Sequence, residues 1–256
     1  MNKMIKNNWH KLFNKNDFFY NIDSKNIFLQ KNKSFNLQSY FLSSIIYPNL
    51  TYRKFINIIK FQLKYLKIKK NSSILDFGSG NGGFLYYYIK KFNLKNNISL
   101  EISKPLILFQ KKILRNTIFF TTNHQNIILK NIVKKKQVDY SLCNSVFQYF
   151  ISEKYAYSIL DMLIRQTKKN ILIYDIKNFD TKYEYSETVR KRQKLSSKDF
   201  KRKYKNTPIR FYKKKFFEKS LKKLKDKYLL NYKFINLPKD ATDYKYGYCL
   251  LINKKN

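Results

Sequence analysis

The 256-residue chain has little glycine (5), proline (4), cysteine (2) or histidine (2), and only two alanines. Cys143 and Cys249, with no C-x-x-C and no paired-histidine spacing, exclude a zinc site of the usual thiolate and imidazole kind. No stretch approaches the ~18 uninterrupted apolar residues that a membrane span requires. The Asn- and Lys-rich start, Met1 to Trp9, carries charge but no apolar h-region. The expectation from these absences is a soluble protein of a reducing cytoplasm, without a structural metal or a membrane span.

Acids are scarce as well, 16 against 54 basic residues, for a formal net charge of +38. Such an excess invites a nucleic-acid partner, because Lys and Arg supply the phosphate-neutralising part of that binding. Arginine, however, is also scarce: seven residues against 47 lysines, although the guanidinium fork is the better reader of phosphates and bases. Abundant Lys, Asn, Ile, Phe and Tyr beside scarce Ala, Gly, Pro and Arg is the pattern an AT-rich genome imposes. Compositional drift and a polyanionic partner therefore stand as two explanations of the charge.

Apolar residues are plentiful, 43% of the chain with 22 Tyr and 22 Phe, too many for disorder. Residues 1–50 are expected to be an arm or lid, and 51–256 one domain. From Thr51 the positions Phe55, Ile58, Ile59, Leu63 and Leu66 form the stripe of an amphipathic helix. Short β-rich runs then alternate with helical ones: strands Ser73 to Phe77, Ile98 to Ile102, Ile118 to Thr121, Val138 to Asn144 and Ile171 to Asp175. Helices are expected at Gly83 to Phe92, Pro105 to Leu114, about Asn126 to Lys134, and Ser152 to Lys168. This βαβ alternation predicts an α/β fold, a mostly parallel sheet covered by helices on both faces, with its ligand at the carboxyl ends of the strands. After Asp175 the pattern breaks: residues 176–211 are polar, and Arg190 to Lys227 holds 18 Lys or Arg against three acids. A helix from Tyr212 to Lys227 and two strands, Lys233 to Leu237 and Tyr248 to Asn253, close the chain as an antiparallel hairpin at the sheet edge.

Four of the five glycines, Gly78, Gly80, Gly82 and Gly83, fall within six residues directly after Ile74-Leu75-Asp76-Phe77. A chain that otherwise avoids glycine uses it there to let backbone turn tightly and a ligand approach closely. Gly78, Gly80 and Gly83 satisfy the dinucleotide fingerprint G-x-G-x-x-G, while Asp76, Gly78, Gly80 and Gly82 satisfy D-x-G-x-G-x-G. Asp76 decides between them, because an acid two residues before the first glycine holds an ammonium but repels a pyrophosphate.

With that loop the sequence resembles the class I S-adenosylmethionine-dependent methyltransferases over roughly residues 51 to 253. The resemblance implies a Rossmann-like three-layer sandwich with a seven-stranded sheet, mostly parallel but with an antiparallel C-terminal strand, and S-adenosylmethionine as cofactor. Glu101, nineteen residues after Gly82 in Leu100-Glu101-Ile102-Ser103, matches the family's acid that accepts hydrogen bonds from both ribose hydroxyls. Asn123, after the third strand, stands where the family often has an acid touching the adenine amino group. Asn144 and Ser145, leaving the fourth strand, would flank the methionine part. The resemblance thus implies cofactor contacts at Asp76, Gly78, Ser79, Gly80, Asn81, Gly82, Glu101, Ile102, Asn123, Asn144 and Ser145.

Methyl transfer from a sulfonium is an in-line displacement, so alignment supplies much of the acceleration. A hydroxyl acceptor gains from a base, for which His124 is the candidate. Tyr149, with Gln148, is a candidate for orienting the acceptor, and Tyr40 and Tyr47 for a lid. Asn-Ser-Val-Phe after the fourth strand is not the Asn-Pro-Pro-Tyr or Asp-Pro-Pro-Tyr of many amine methylases, and no Pro-Cys pair serves carbon-5 pyrimidine chemistry. A small-molecule acceptor, an oxygen on a saccharide or metabolite, is the expectation. The rivals are an RNA methyltransferase using the basic 190–227 segment and a catalytically silent binding protein on the same fold.

Overall fold

The computed structural model describes residues 51–121, 137–205, 209–239, 241 and 243–255. The expected arm at 1–50 with Tyr40 and Tyr47, the expected helix from Asn126, and Asn123 and His124 lie outside the described residues. Among those described, no helix is long and apolar enough to cross a membrane.

Helix α1 (Tyr52–Leu66) starts where the Thr51 hydroxyl accepts the Lys54 amide and ends at Lys67 in the left-handed region. It leads into β1 (Ile74–Phe77), followed by α2 (Gly83–Phe92), β2 (Asn97–Glu101), α3 (Lys104–Ile113), β3 (Thr117–Thr121) and β4 (Val138–Asn144). Then come α4 (Glu153–Gln166), β5 (Thr167–Lys177), α5 (Lys182–Arg192), α6 (Ser197–Tyr204), α7 (Lys214–Lys225), β6 (Leu230–Asn236) and β7 (Gly247–Lys254). The seven strands form one sheet in the order β3-β2-β1-β4-β5-β7-β6. Strands β1 to β5 pair in parallel, and β7 runs antiparallel between β5 and β6. The parallel α/β sheet expected from the alternation and the Rossmann-like sandwich implied by the resemblance are present. The antiparallel C-terminal hairpin is at the sheet edge as expected, with β6 outermost and β7 beside β5.

Every residue of β1 and β2 is buried, as parallel strands covered on both faces must be. In β5 the side chains alternate between two cores. Leu172 and Tyr174 join Phe55, Ile59, Leu85 and Tyr88 of α1 and α2 on one face. Ile171 and Ile173 join Ile159, Leu163, Phe217 and Leu221 of α4 and α7 on the other. Each fully buried Leu, Ile or Phe contributes roughly 1.5–3 kcal/mol, so Phe217→Ala in the second core would cost about 3–5 kcal/mol.

The polar stretch after Asp175 holds two helices, α5 and α6, where none was expected. Neither has a full apolar stripe: α5 buries only Tyr185 and Val189, and α6 buries none of its residues. α6 is held by local capping instead, the Ser196 hydroxyl accepting the Asp199 amide and donating to its carboxylate at 2.6 Å. The expected start of α7 at Tyr212 is also displaced. Tyr212 is buried and forms a bridge with Asn178 before the helix begins.

Candidate functional site

The glycine loop runs from β1 into α2 with Gly78, Gly80 and Gly82 all at positive φ (71°, 57° and 81°). At Gly78 a side chain is excluded twice, by that backbone and by Val146, into which a Cβ would drive. The loop therefore lies against the exit of β4, so the first motif and the Asn144 segment meet as the sequence implied. Gly78 and Ser79 both donate amides to Leu100 O, at 2.7 and 3.1 Å, which ties the loop to β2. The Asn81 carboxamide oxygen accepts the Gly83 amide (3.1 Å) and opens α2.

Beneath the loop lies a buried network absent from the sequence reading. Gln110 of α3 donates to Ser79 Oγ (2.8 Å) and to Gly80 O (2.6 Å), and accepts from Ser99 Oγ (2.6 Å). Ser79 and Ser99 also share a hydrogen bond of 2.7 Å. The Ser79 side chain is thus committed inward, leaving its backbone for a ligand. A signal existed: Gln110 falls three and four residues after the buried Ile107 and Leu106, a polar residue at a core position.

Asp76 and Glu101 line this end of the sheet, both buried. Glu101 Oε2 accepts the Gly80 amide (2.8 Å), and its Oε1 accepts the amides of Ile102 and Ser103 (2.8 and 3.0 Å). Burial raises the Glu101 pKa, against the lowering effect of those three amides. Asp76 has no such relief. Burial, then the charge of Glu101, pushes it up to about 8, and its Oδ1 is buried without a hydrogen-bond partner. No Lys or Arg pairs with either carboxylate among the described residues. Two buried acids that no described cation pairs stand out in a chain of net charge +38.

At the exit of β4, Asn144 Oδ1 accepts from Gln62 Nε2 of α1 (3.5 Å), and Gln62 Oε1 accepts the Tyr88 hydroxyl of α2. Gln62 is fully buried, in line with Phe55, Ile59 and Leu66, another polar residue on a core stripe that the sequence reading passed over. Ser145 takes positive φ (56°), and its hydroxyl donates to Asp175 Oδ2 at 2.9 Å. Asp175 itself sits at φ 57° where the β5 and β7 register shifts, a bulge that turns its carboxylate toward Ser145. Lys177 Nζ lies 2.9 Å from Asp175 Oδ1 and 3.5 Å from Asp243 Oδ2, and Arg192 reaches Asp243 Oδ1 at 3.1 Å. Burial lowers the Lys177 pKa, but Asp175, Tyr185 and Asp243 more than offset this and hold the ammonium above its usual value.

Tyr149 stands beside this group. Burial keeps its phenol protonated above the ordinary pKa, while a hydrogen bond with Gln148 and the Lys177 charge work the other way. Gln148 is buried with its Oε1 unpartnered. Asp139, by contrast, sits at the opposite end of the sheet, pinned by the Ser73 amide and hydroxyl and by Lys169. Cys143 is buried, and that burial pushes its thiol well up, so it serves as packing.

No family model and no curated protein matches this sequence. Solved structures do. The plantazolicin methyltransferase BpumL, in complex with a triazolic desmethylPZN analog and SAH, is 18% identical, with 98% of this chain and 100% of that one covered at a TM-score of 0.58. An S-adenosylmethionine-dependent methyltransferase from Clostridium acetobutylicum ATCC 824 is 12% identical over 84% and 96% of the two chains, at 0.54. The small RNA methyltransferase HEN1 is 15% identical at 0.53, covering 82% of this chain and 26% of that one. The chain therefore has the class I methyltransferase fold.

Proposed function

We propose that this protein transfers a methyl group from S-adenosylmethionine to an oxygen acceptor, a hydroxyl on a saccharide or other small metabolite. The observation that carries the proposal is the orphaned Asp76 carboxylate beside Glu101, under a glycine loop at the carboxyl ends of β1 and β2. S-adenosylmethionine has the matching chemistry, with an ammonium and a sulfonium for the acids and ribose hydroxyls to donate. Bound there, it supplies a methyl group activated by the sulfonium.

The chain's own groups would act as follows. Asp76 neutralises the ammonium, which offsets its own desolvation. Glu101, already oriented by three amides, accepts from the ribose. Gly78, Gly80 and Gly82 bring backbone close to the ligand, while Asn144 and the backbone of Ser145 border it on the β4 side. Tyr149, held as the neutral phenol, orients an acceptor hydroxyl by hydrogen bonding rather than deprotonating it. His124 is the proposed proton acceptor and Asn123 the proposed adenine contact. The fixed donors and acceptors of this end of the sheet would contribute mainly by alignment.

Calorimetry with S-adenosylmethionine or S-adenosylhomocysteine tests the reading. Wild type should bind, and Glu101→Ala should bind at least 10-fold more weakly; an absence of heat with the wild type refutes the proposal. A second reading of the acceptor, RNA, is favoured by one observation, a basic groove whose Arg210 is hydrogen-bonded to the turn that follows β4.

A further inference from the structure

Between α4 and α7 runs a groove of about 600 Å³ lined by six cations, Lys154, Arg210, Lys213, Lys215, Lys219 and Lys223, against one acid, Glu153. Its local net charge is thus +5, and none of the six cations is ion-paired among the described residues. Lys215, Lys219 and Lys223 recur every fourth residue along α7, about 6 Å of rise per step. Such a row suits a chain of repeated phosphates better than one small anion. Aromatic faces are interleaved with the charges: Tyr157, Phe179, Phe211 and Phe216 share the lining. Phe179 is 44% exposed, with Lys213 Nζ 4.9 Å from its ring centre.

The groove is fastened to the candidate acceptor site. Arg210 donates its amide to Gln148 O (2.8 Å), and its guanidinium to Phe150 O and Ile151 O (3.0 and 2.7 Å). One end therefore lies a single residue from Tyr149, and Phe179 follows closely on the end of β5.

We infer that this groove binds single-stranded RNA. The lysine row would track the backbone, and the aromatic rings would stack on bases whose faces a duplex keeps covered. Glu153 is an acceptor for which a ribose 2′-hydroxyl is a donor partner and deoxyribose offers none. The inference deepens the second reading of the acceptor given above, since the groove would deliver an RNA chain to the β4 exit. Its lysines then differ in role from the other exposed lysines of a chain whose composition is basic throughout.

That difference sets the experiment. Anisotropy of a labelled 12-nucleotide oligo(U) with the full chain should show binding whose log K falls with log salt concentration. Lys215→Ala/Lys219→Ala/Lys223→Ala should weaken it at least 10-fold and reduce the slope by about 2, as three lost phosphate contacts on a single strand predict. Lys60→Ala/Lys64→Ala/Lys111→Ala, exposed lysines on other helices, should change it less than 2-fold. Equal losses from the two triple variants overturn the inference, as does no binding or equal affinity for oligo(U) and oligo(dT). Cofactor calorimetry on each variant reports folding. It also separates the two proposals: RNA binding without cofactor binding sinks the methyltransferase reading and spares the groove, and the reverse result sinks the groove alone.

Discussion

Two groups of carboxylates lie at the carboxyl end of the sheet, one part-buried and one buried, and they are solved in opposite ways. Asp175 and Asp243 share Lys177, and Arg192 pairs with Asp243 as well, so charge is balanced within the protein. Among the described residues no cation pairs with Asp76 or Glu101, and Asp76 is driven up to about 8. Breaking a buried pair leaves a charge without compensation, so the first group is a structural joint between β5, α5 and the turn before β7. The second group bears an electrostatic cost that the fold alone does not need. In a protein with 54 basic residues, two acids that no described cation pairs fit the proposal that a ligand provides the cation. The contrast separates a site from a scaffold more sharply than burial or pKa alone.

The largest expected effect breaks the balanced group. Lys177→Met removes the cation paired with Asp175 and leaves Asp243 with Arg192, and should destabilise the protein by about 3–5 kcal/mol. At roughly 2–4 °C per kcal/mol for a chain of this size, thermal unfolding should move down by about 6–20 °C. An unchanged melting temperature would mean that the joint is solvated and the contrast false.

Asp76→Asn tests the other side and should separate stability from binding. Cofactor affinity should fall by about 2–5 kcal/mol, roughly 30-fold to 4,000-fold, as when one partner of a buried charged contact is removed. The free protein should become more stable at pH 8, by about 1–3 kcal/mol, because the buried charge, raised in cost by desolvation and by Glu101, is removed. The pH dependence follows with its sign. The Asp76 pKa rises from 3.8 to about 8 on folding, so the native state holds an extra proton in between. The stability this contributes is complete below about pH 4 and is lost as pH rises through about 8. A cationic ligand favours the carboxylate, so its affinity should climb with pH up to about 8 and then level off, with proton release on binding. Melting curves and calorimetry in buffers of different ionisation enthalpy measure both, and a flat pH profile for wild type would contradict the assignment.

The smallest effect concerns the loop's support. Gln110→Leu removes the donor to Ser79 and Gly80 O and should cost about 1–3 kcal/mol, with a several-fold loss of cofactor affinity and little change at Lys177. Comparable damage to the balanced group, read from the same melting curves with Lys177→Met in parallel, would show that the two groups are coupled.

The candidate site was legible where its parts are contiguous or at strand ends. The Asp76 to Gly83 run declares its turn through glycine alone, and Glu101 stands at the end of a clearly patterned strand. Gln62 and Gln110 were less visible because each is one polar residue on an otherwise apolar helix face; only the folded chain shows that Gln62 meets Asn144, 82 residues away, and Gln110 meets Gly80, 30 away. α5 and α6 escaped because their apolar stripes are too thin for periodicity to detect. The capping signal from Ser196 to Asp199 was nonetheless there to be read.

By itself the sequence determined the alternation of strands and helices, the glycine turn and the two acids beside it, because hydrophobic period, backbone freedom and side-chain charge are local properties. The tertiary structure alone decided which carboxylates are neutralised. Lys177 reaches Asp243 across 66 residues, and among the described residues no cation pairs with Asp76. Compensation of charge depends on distance in space and on the exclusion of water, neither of which a linear pattern contains.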